Sequence, residues 1–166
     1  MASSKQTIRE GLIVGIIGYG SVALLYAVFD FLAARGSLFT VNLLGKAVFR
    51  GLRDPAVLAF PIQLDMTAIY LYSGLHLIIS LIIGLIVSTL VDLSERKQGM
   101  AGIALFVIIA GFFITILAVG LLTDQIRFLL PWWSIAIANT FAVVIAGSYI
   151  IKKHPGIWQS LNPFTR

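Results

Sequence analysis

Residues 66–91 read MTAIYLYSGLHLIISLIIGLIVSTLV, and this run of 26 residues contains no Lys, Arg, Asp or Glu. A helix of about 20 apolar residues is long enough to cross the hydrocarbon core of a membrane, which is about 30 Å thick. Three further runs without charge occur at 11–29, 98–123 and 128–151. We therefore predict an all-α integral membrane protein with four transmembrane helices, at about 11–32, 66–91, 99–122 and 129–151.

The composition favours lipid over water as the solvent of this chain. Hydrophobic residues make up 59% and charged residues 11%, whereas soluble domains carry about 25% charged residues. We expect residues 1–166 to form a single membrane domain with polar tails at 1–9 and 152–166. The absence of cysteine excludes disulfides, thiolate metal sites and cysteine nucleophiles.

Charge and its position indicate which partners to expect. The net charge is +5, and the basic residues lie in short loops and tails beside the apolar runs, where they meet anionic headgroups. We expect membrane lipids as partners and no nucleic acid. The first apolar run exceeds the roughly 7–15 residues of a signal-peptide core and lacks a good cleavage site, so we expect it to be retained.

Orientation follows from the distribution of Lys and Arg. With four spans, the N-terminus, the second loop and the C-terminal tail share one side. That side holds seven Lys and Arg residues, against five on the other side. Because cytoplasmic loops carry the excess of basic residues, we predict that both termini are cytoplasmic.

The first connection, between the first two spans, is too long to be structureless in a compact domain. Thr40 can cap a helix that starts at Val41, and we predict a short amphipathic interfacial helix at about 41–52. One sector of it is polar and is expected to contact headgroups or a partner; alternatively the segment is a stiff connector whose charges face water. The polar sector comprises Asn42, Lys46, Arg50 and Arg53, opposite Leu43, Leu44, Ala47, Val48 and Leu52.

The string FTVNLLGKAVF at 39–49, followed by His76 in the second span, resembles a group of small bacterial four-span inner-membrane proteins of uncharacterised function. The resemblance implies a location in the bacterial plasma membrane. It implies no catalytic residue.

Small residues mark the faces on which membrane helices approach closely. They recur at intervals of three or four residues in the first two spans, where we expect them to pack the bundle or, alternatively, to form an oligomer. The helix-packing candidates are Gly11, Gly15, Gly18, Ser80, Gly84 and Ser88.

Polar side chains at membrane depth are functional candidates. His76 shares the small-residue face of its span, so we expect it to point into the bundle, near Tyr72, with a hydroxyl or Asp30 as its polar partner. A structural hydrogen bond, a proton or ion site, and ligation of a haem or chlorin all remain open for His76. Asn139 is expected to form an interhelical hydrogen bond, and we expect replacement of His154, in the tail, to have no effect.

No phosphate-binding loop, metalloprotease motif or nucleophile–base pair is present. We therefore expect a non-catalytic accessory or structural subunit of a larger bacterial membrane complex, respiratory or photosynthetic, that binds other integral membrane subunits. The alternative is a small oligomeric transporter or channel for an ion or small solute. We assign no catalytic or metal residue and no cofactor to this chain alone; contact with the haem, quinone or pigment of a partner is the weaker alternative.

Overall fold

The computed structural model describes residues 4–51, 59, 61–97 and 100–156, and over these residues the chain is helical with no strand. Four of the helices are long and apolar enough to cross a membrane, as predicted. They are α1 (Ser4–Leu32), α3 (Met66–Arg96), α4 (Met100–Leu122) and α5 (Trp132–Lys153), with the short α2 (Phe39–Phe49) between the first two and a 3-10 turn at Asp124–Ile126.

The helices α1 and α3 extend beyond the uncharged runs that predicted them. They contain 29 and 31 residues, and a 31-residue helix is about 46 Å long, more than the roughly 30 Å hydrocarbon core. Their ends therefore reach into the headgroup layers, where charged residues such as Glu10 and Arg96 can be solvated or paired.

The closest helix pair is α1 with α3, whose backbones touch through glycines. A Cβ atom on Gly15 would lie 2.6 Å from the Cα of Leu81, and one on Gly84 would collide with the carbonyl oxygen of Gly11 and lie 2.5 Å from the backbone nitrogen of Gly15. Ser80 and Ser88 are buried on the same face of α3. Gly18 lies apart from this contact, since nothing is within 4 Å of its Cβ position.

The helix α2 packs against one end of the bundle, where its apolar side chains are part of the hydrophobic core. A Cβ atom on Gly45 would lie 2.5 Å from the carbonyl oxygen of Ala68, so α2 also packs closely against α3. The core residues around it are Tyr26, Leu43, Leu44, Ala47, Ile126, Leu129, Leu130, Ile135 and Ala138.

The helix α4 lies at the edge of the bundle. Ala104 is its one buried residue, and Phe106, Phe113 and Leu117 are 71%, 63% and 62% exposed. Large apolar side chains on this helix therefore face outward, toward lipid or another protein.

Candidate functional site

Three ionisable side chains meet at the end of the bundle where α1 begins and α5 ends. His154 follows α5 directly; its Nδ1 lies 2.9 Å from a carboxylate oxygen of Glu95 on α3, and its Nε2 lies 2.9 Å from one of Glu10 on α1. His154 is 7% exposed and Glu10 is 8% exposed. We call these three residues the terminal cluster; it ties three helices together.

The hydrogen bonds of the terminal cluster favour one protonation state of His154. A carboxylate only accepts hydrogen bonds, so an imidazole that faces one carboxylate with each nitrogen is best satisfied when both nitrogens carry a proton. Burial alone would lower the pKa of His154, but the hydrogen bonds to Glu10 and Glu95 outweigh burial and raise the pKa above its ordinary value. Both carboxylates therefore favour the imidazolium form of His154.

A cavity of about 370 Å³ opens beside the terminal cluster, between α1 and α5. Glu10 is its acidic lining residue, and that carboxylate is already bonded to His154 and, at 3.1 Å, to the side-chain amide of Gln6. The cavity is lined by Lys5, Gln6, Arg9, Glu10, Tyr149 and Lys153.

At the opposite end of the bundle, Asp30 joins α1 to α2. Its carboxylate is 1% exposed and accepts hydrogen bonds from the backbone N–H of Thr40 at 2.6 Å, from the Thr40 hydroxyl at 2.8 Å and from Arg35 at 3.1 Å. Arg35 also donates to the carbonyl oxygen of Leu129 at 3.3 Å. Asp30 thus supplies the anion that the N-terminus of α2 attracts.

This corrects the predicted start of the short helix. The helix begins at Phe39, not Val41, and Thr40 lies within its first turn with its hydroxyl bonded to Asp30. The cap comes from α1, ten residues earlier in the chain, so a local capping pattern could not reveal it.

The polar sector of α2 also differs from the prediction. Asn42 and Lys46 are 1% and 7% exposed, so they face the bundle and not the headgroups. Arg50 pairs with Asp65 at 2.9 Å with its side chain 44% exposed, and Arg53 lies outside the described residues. Asn42 is buried because its partners lie on the segment before α3, which the helical wheel of α2 does not include.

Those partners form a small network at the start of α3. The Asn42 side chain donates to the carbonyl oxygen of Gln63 at 3.1 Å and accepts from the backbone N–H of Asp65 at 2.9 Å. Asp65 in turn caps α3 by accepting from the N–H of Ala68 at 3.0 Å. The hydrogen bonds from Arg50 and from Ala68 lower the pKa of Asp65.

His76 lies between α1 and α3 among aromatic rings. Its ring centre is 5.1 Å from that of Tyr19 and 6.0 Å from that of Tyr72. The expected contact with Asp30 is not made, because Thr40 and Arg35 bind that carboxylate at the end of α1. Within the described part of the chain, His76 is held by ring contacts.

Asn139 satisfies its amide within its own helix, donating to the carbonyl oxygen of Ile135 at 2.8 Å. The predicted interhelical bond is instead supplied by Tyr26 of α1, whose hydroxyl lies 3.3 Å from that of Ser134 on α5. The Asn139 bond forms within the helix because the carbonyl oxygen four residues earlier is within reach of an Asn side chain.

The terminal cluster is the feature that sequence reasoning missed. The sequence did contain a signal for it. Each of its residues, Glu10, Glu95 and His154, lies close to the end of a predicted span, and a four-span topology places those three ends on the same side of the membrane. Among the described residues, no three His, Asp or Glu side chains are grouped so as to hold a metal ion. The chain matches no protein-family model, no curated protein and no solved structure.

Proposed function

We propose that this protein is a non-catalytic accessory subunit that binds other integral membrane proteins in a larger bacterial plasma-membrane complex, respiratory or photosynthetic. The observation that carries the proposal is the position of α4. This helix contributes only Ala104 to the interior of the chain, although it is as long as a membrane span requires.

Close packing and hydrogen bonds, not apolar surface, hold helices together in lipid. Gly102, Gly111 and Gly120 of α4 have nothing within 4 Å of their Cβ positions, and the Thr115 hydroxyl donates to the carbonyl oxygen of Gly111 in the same helix at 2.9 Å. These three glycines are therefore not used for close packing within the described part of the chain. They are available to a helix of another protein.

The buried polar groups support the same proposal, because they act as structural links. Asp30 holds α1 to α2, Asn42 holds α2 to the start of α3, and His154 holds α1, α3 and α5 at the other end. Hydrogen bonds between helices at both ends of the bundle are expected to make it rigid, as a structural subunit requires.

Photocrosslinking in cells tests the proposal. A photoreactive amino acid at Phe106, Phe113 or Leu117 of α4 should form an adduct with a protein, and that same protein should co-migrate with the chain on a native gel after mild detergent extraction. The matched controls are Ile78 and Ile82 of α3, which are 57% and 51% exposed and should form adducts with lipid. Lipid adducts at all five positions, with a monomer on the native gel, would contradict the proposal.

The alternative, a small oligomeric transporter or channel, is favoured by one observation: His76, Tyr19 and Tyr72 bring polar side chains together at membrane depth. Adducts from α4 to a second copy of this chain, together with ion or solute movement in liposomes that His76→Leu abolishes, would establish it in place of the subunit.

A further inference from the structure

We propose that the cavity between α1 and α5 binds the phosphate headgroup of an anionic phospholipid, with Lys5, Arg9 and Lys153 as the contacting cations. The site is separate from the α4 surface on which the subunit proposal rests. It also differs from the predicted lipid contact at Lys46 and Arg50, which lies at the other end of the bundle.

The cations converge because two helix faces meet. Lys5 and Arg9 are four residues apart on α1, and Tyr149 and Lys153 are four residues apart on α5, so each pair lies on one face of its helix. All four line the same cavity of about 370 Å³. That volume lies within the roughly 300–1,000 Å³ of small-ligand sites.

The charge of the cavity is positive despite the presence of an acid. Glu10 lines it, and that carboxylate is bonded to the His154 ring at 2.9 Å and to Gln6 at 3.1 Å. Three cations and this one carboxylate line the cavity, so the net charge of its lining stays positive. Lys5, Arg9 and Lys153 remain to attract an anion.

A lipid headgroup fits the position better than a free anion does. Just below the cavity, α1 exposes Leu12 and Ile16, at 39% and 57%, and α5 exposes Ile145 at 37%. These apolar side chains lie one to two turns deeper in the membrane than Arg9 and Lys153, where the acyl chains of a bound lipid would run. The tyrosine at 149 is a residue type typical of the membrane–water interface.

Native mass spectrometry of the full chain tests the site, with phosphatidylglycerol as the probe and phosphatidylcholine as the zwitterionic comparison. The wild type should retain phosphatidylglycerol preferentially, and Arg9→Gln or Lys153→Gln should each weaken that binding about fivefold. Lys152→Gln is the matched control, since this exposed lysine is adjacent to Lys153 but does not line the cavity. It should bind as the wild type does.

Three results would overturn the proposal. Equal losses of lipid binding in Lys152→Gln and Lys153→Gln would indicate that diffuse charge attracts the lipid, and a wild type without preference for phosphatidylglycerol would show no selective site. Displacement of the lipid by inorganic phosphate at millimolar concentration would indicate a free-anion site. Thermal unfolding of each variant checks that it is folded. If Lys153→Gln is not, Lys5→Gln at the exposed start of α1 replaces it and should show the same selective loss.

Discussion

Two ionisable residues, one at each end of the bundle, show how this chain stabilises charge at the membrane boundary. His154 has a carboxylate against each ring nitrogen, and Asp30 has hydrogen bonds from Thr40 and Arg35. An isolated buried charge would be costly. Each is instead paired with groups from another helix or from the following loop, so the cost of burial is offset and the helix ends are fixed.

The terminal cluster predicts a dependence of stability on pH. The folded state raises the pKa of His154 above the ordinary 6.5, so the stabilisation is fully present below pH 6.5 and is lost as the pH rises through the raised value. The charges that face the ring are Glu10 and Glu95, with Lys153 beside Glu10. The wild type should unfold at a lower temperature at pH 9 than at pH 6, by an amount equivalent to about 1–3 kcal/mol.

His154→Gln is the control for that measurement, made by thermal unfolding in detergent. The variant lacks the titrating ring, so its unfolding temperature should change much less between the two pH values. An equal pH dependence in both proteins would show that another group is responsible. This expectation replaces the sequence-based one, in which His154 had no role.

Among the elements, the contact between α1 and α3 depends most on the identity of single residues. Glycine at 11, 15 and 84 lets the two backbones touch, which is how small residues hold membrane helices together. The same face of α3 buries Ser80 and Ser88. The contact leaves no room for a methyl group at its centre.

Gly84→Ala should therefore separate α1 from α3. A Cβ atom at Gly84 would collide with the carbonyl oxygen of Gly11, and backbone atoms cannot move aside as a flexible side chain can. We expect a loss of about 1–3 kcal/mol in the free energy of unfolding, measured by reversible unfolding in mixed micelles. The matched control is Gly18→Ala, where nothing lies within 4 Å; it should be neutral or slightly stabilising. Equal effects of the two substitutions would contradict the packing.

At the scale of the whole molecule, the contact of Glu10 with His154 places the start of α1 and the end of α5 at the same end of the bundle. The four-span topology requires this arrangement, and the structure has it. The side of the membrane on which that end lies stays a prediction from the sequence, in which seven basic residues are assigned to this side and five to the other.

Reporter fusions determine the orientation. Fusions after Leu93, near the end of α3, and after Arg166 should both report the cytoplasm, because the predicted loop after α3 and the C-terminal tail share a side. A fusion within the loop before α3, after Gln63, should report the opposite side. Periplasmic signals after both Leu93 and Arg166 would reverse the orientation but leave the number of spans unchanged.

The sequence alone was enough to predict four long apolar helices and a short helix between the first two. These are local properties, because a stretch of about 20 apolar residues must satisfy its own backbone within the hydrocarbon core. It also marked Gly11, Gly15 and Gly84, since the spacing of small residues along one helix defines a face.

The partners of the polar side chains, in contrast, follow from how the helices pack together. His154 bonds to residues 59 and 144 positions away in the chain, and Asn42 bonds to Gln63 and Asp65, which are 21 and 23 positions away. Such pairs depend on the rotation and depth of one helix relative to another. Packing between helices sets those two quantities, and the residue pattern within a single helix does not contain that information. For that reason Asn42 and Lys46 of α2 were predicted to face outward but lie buried.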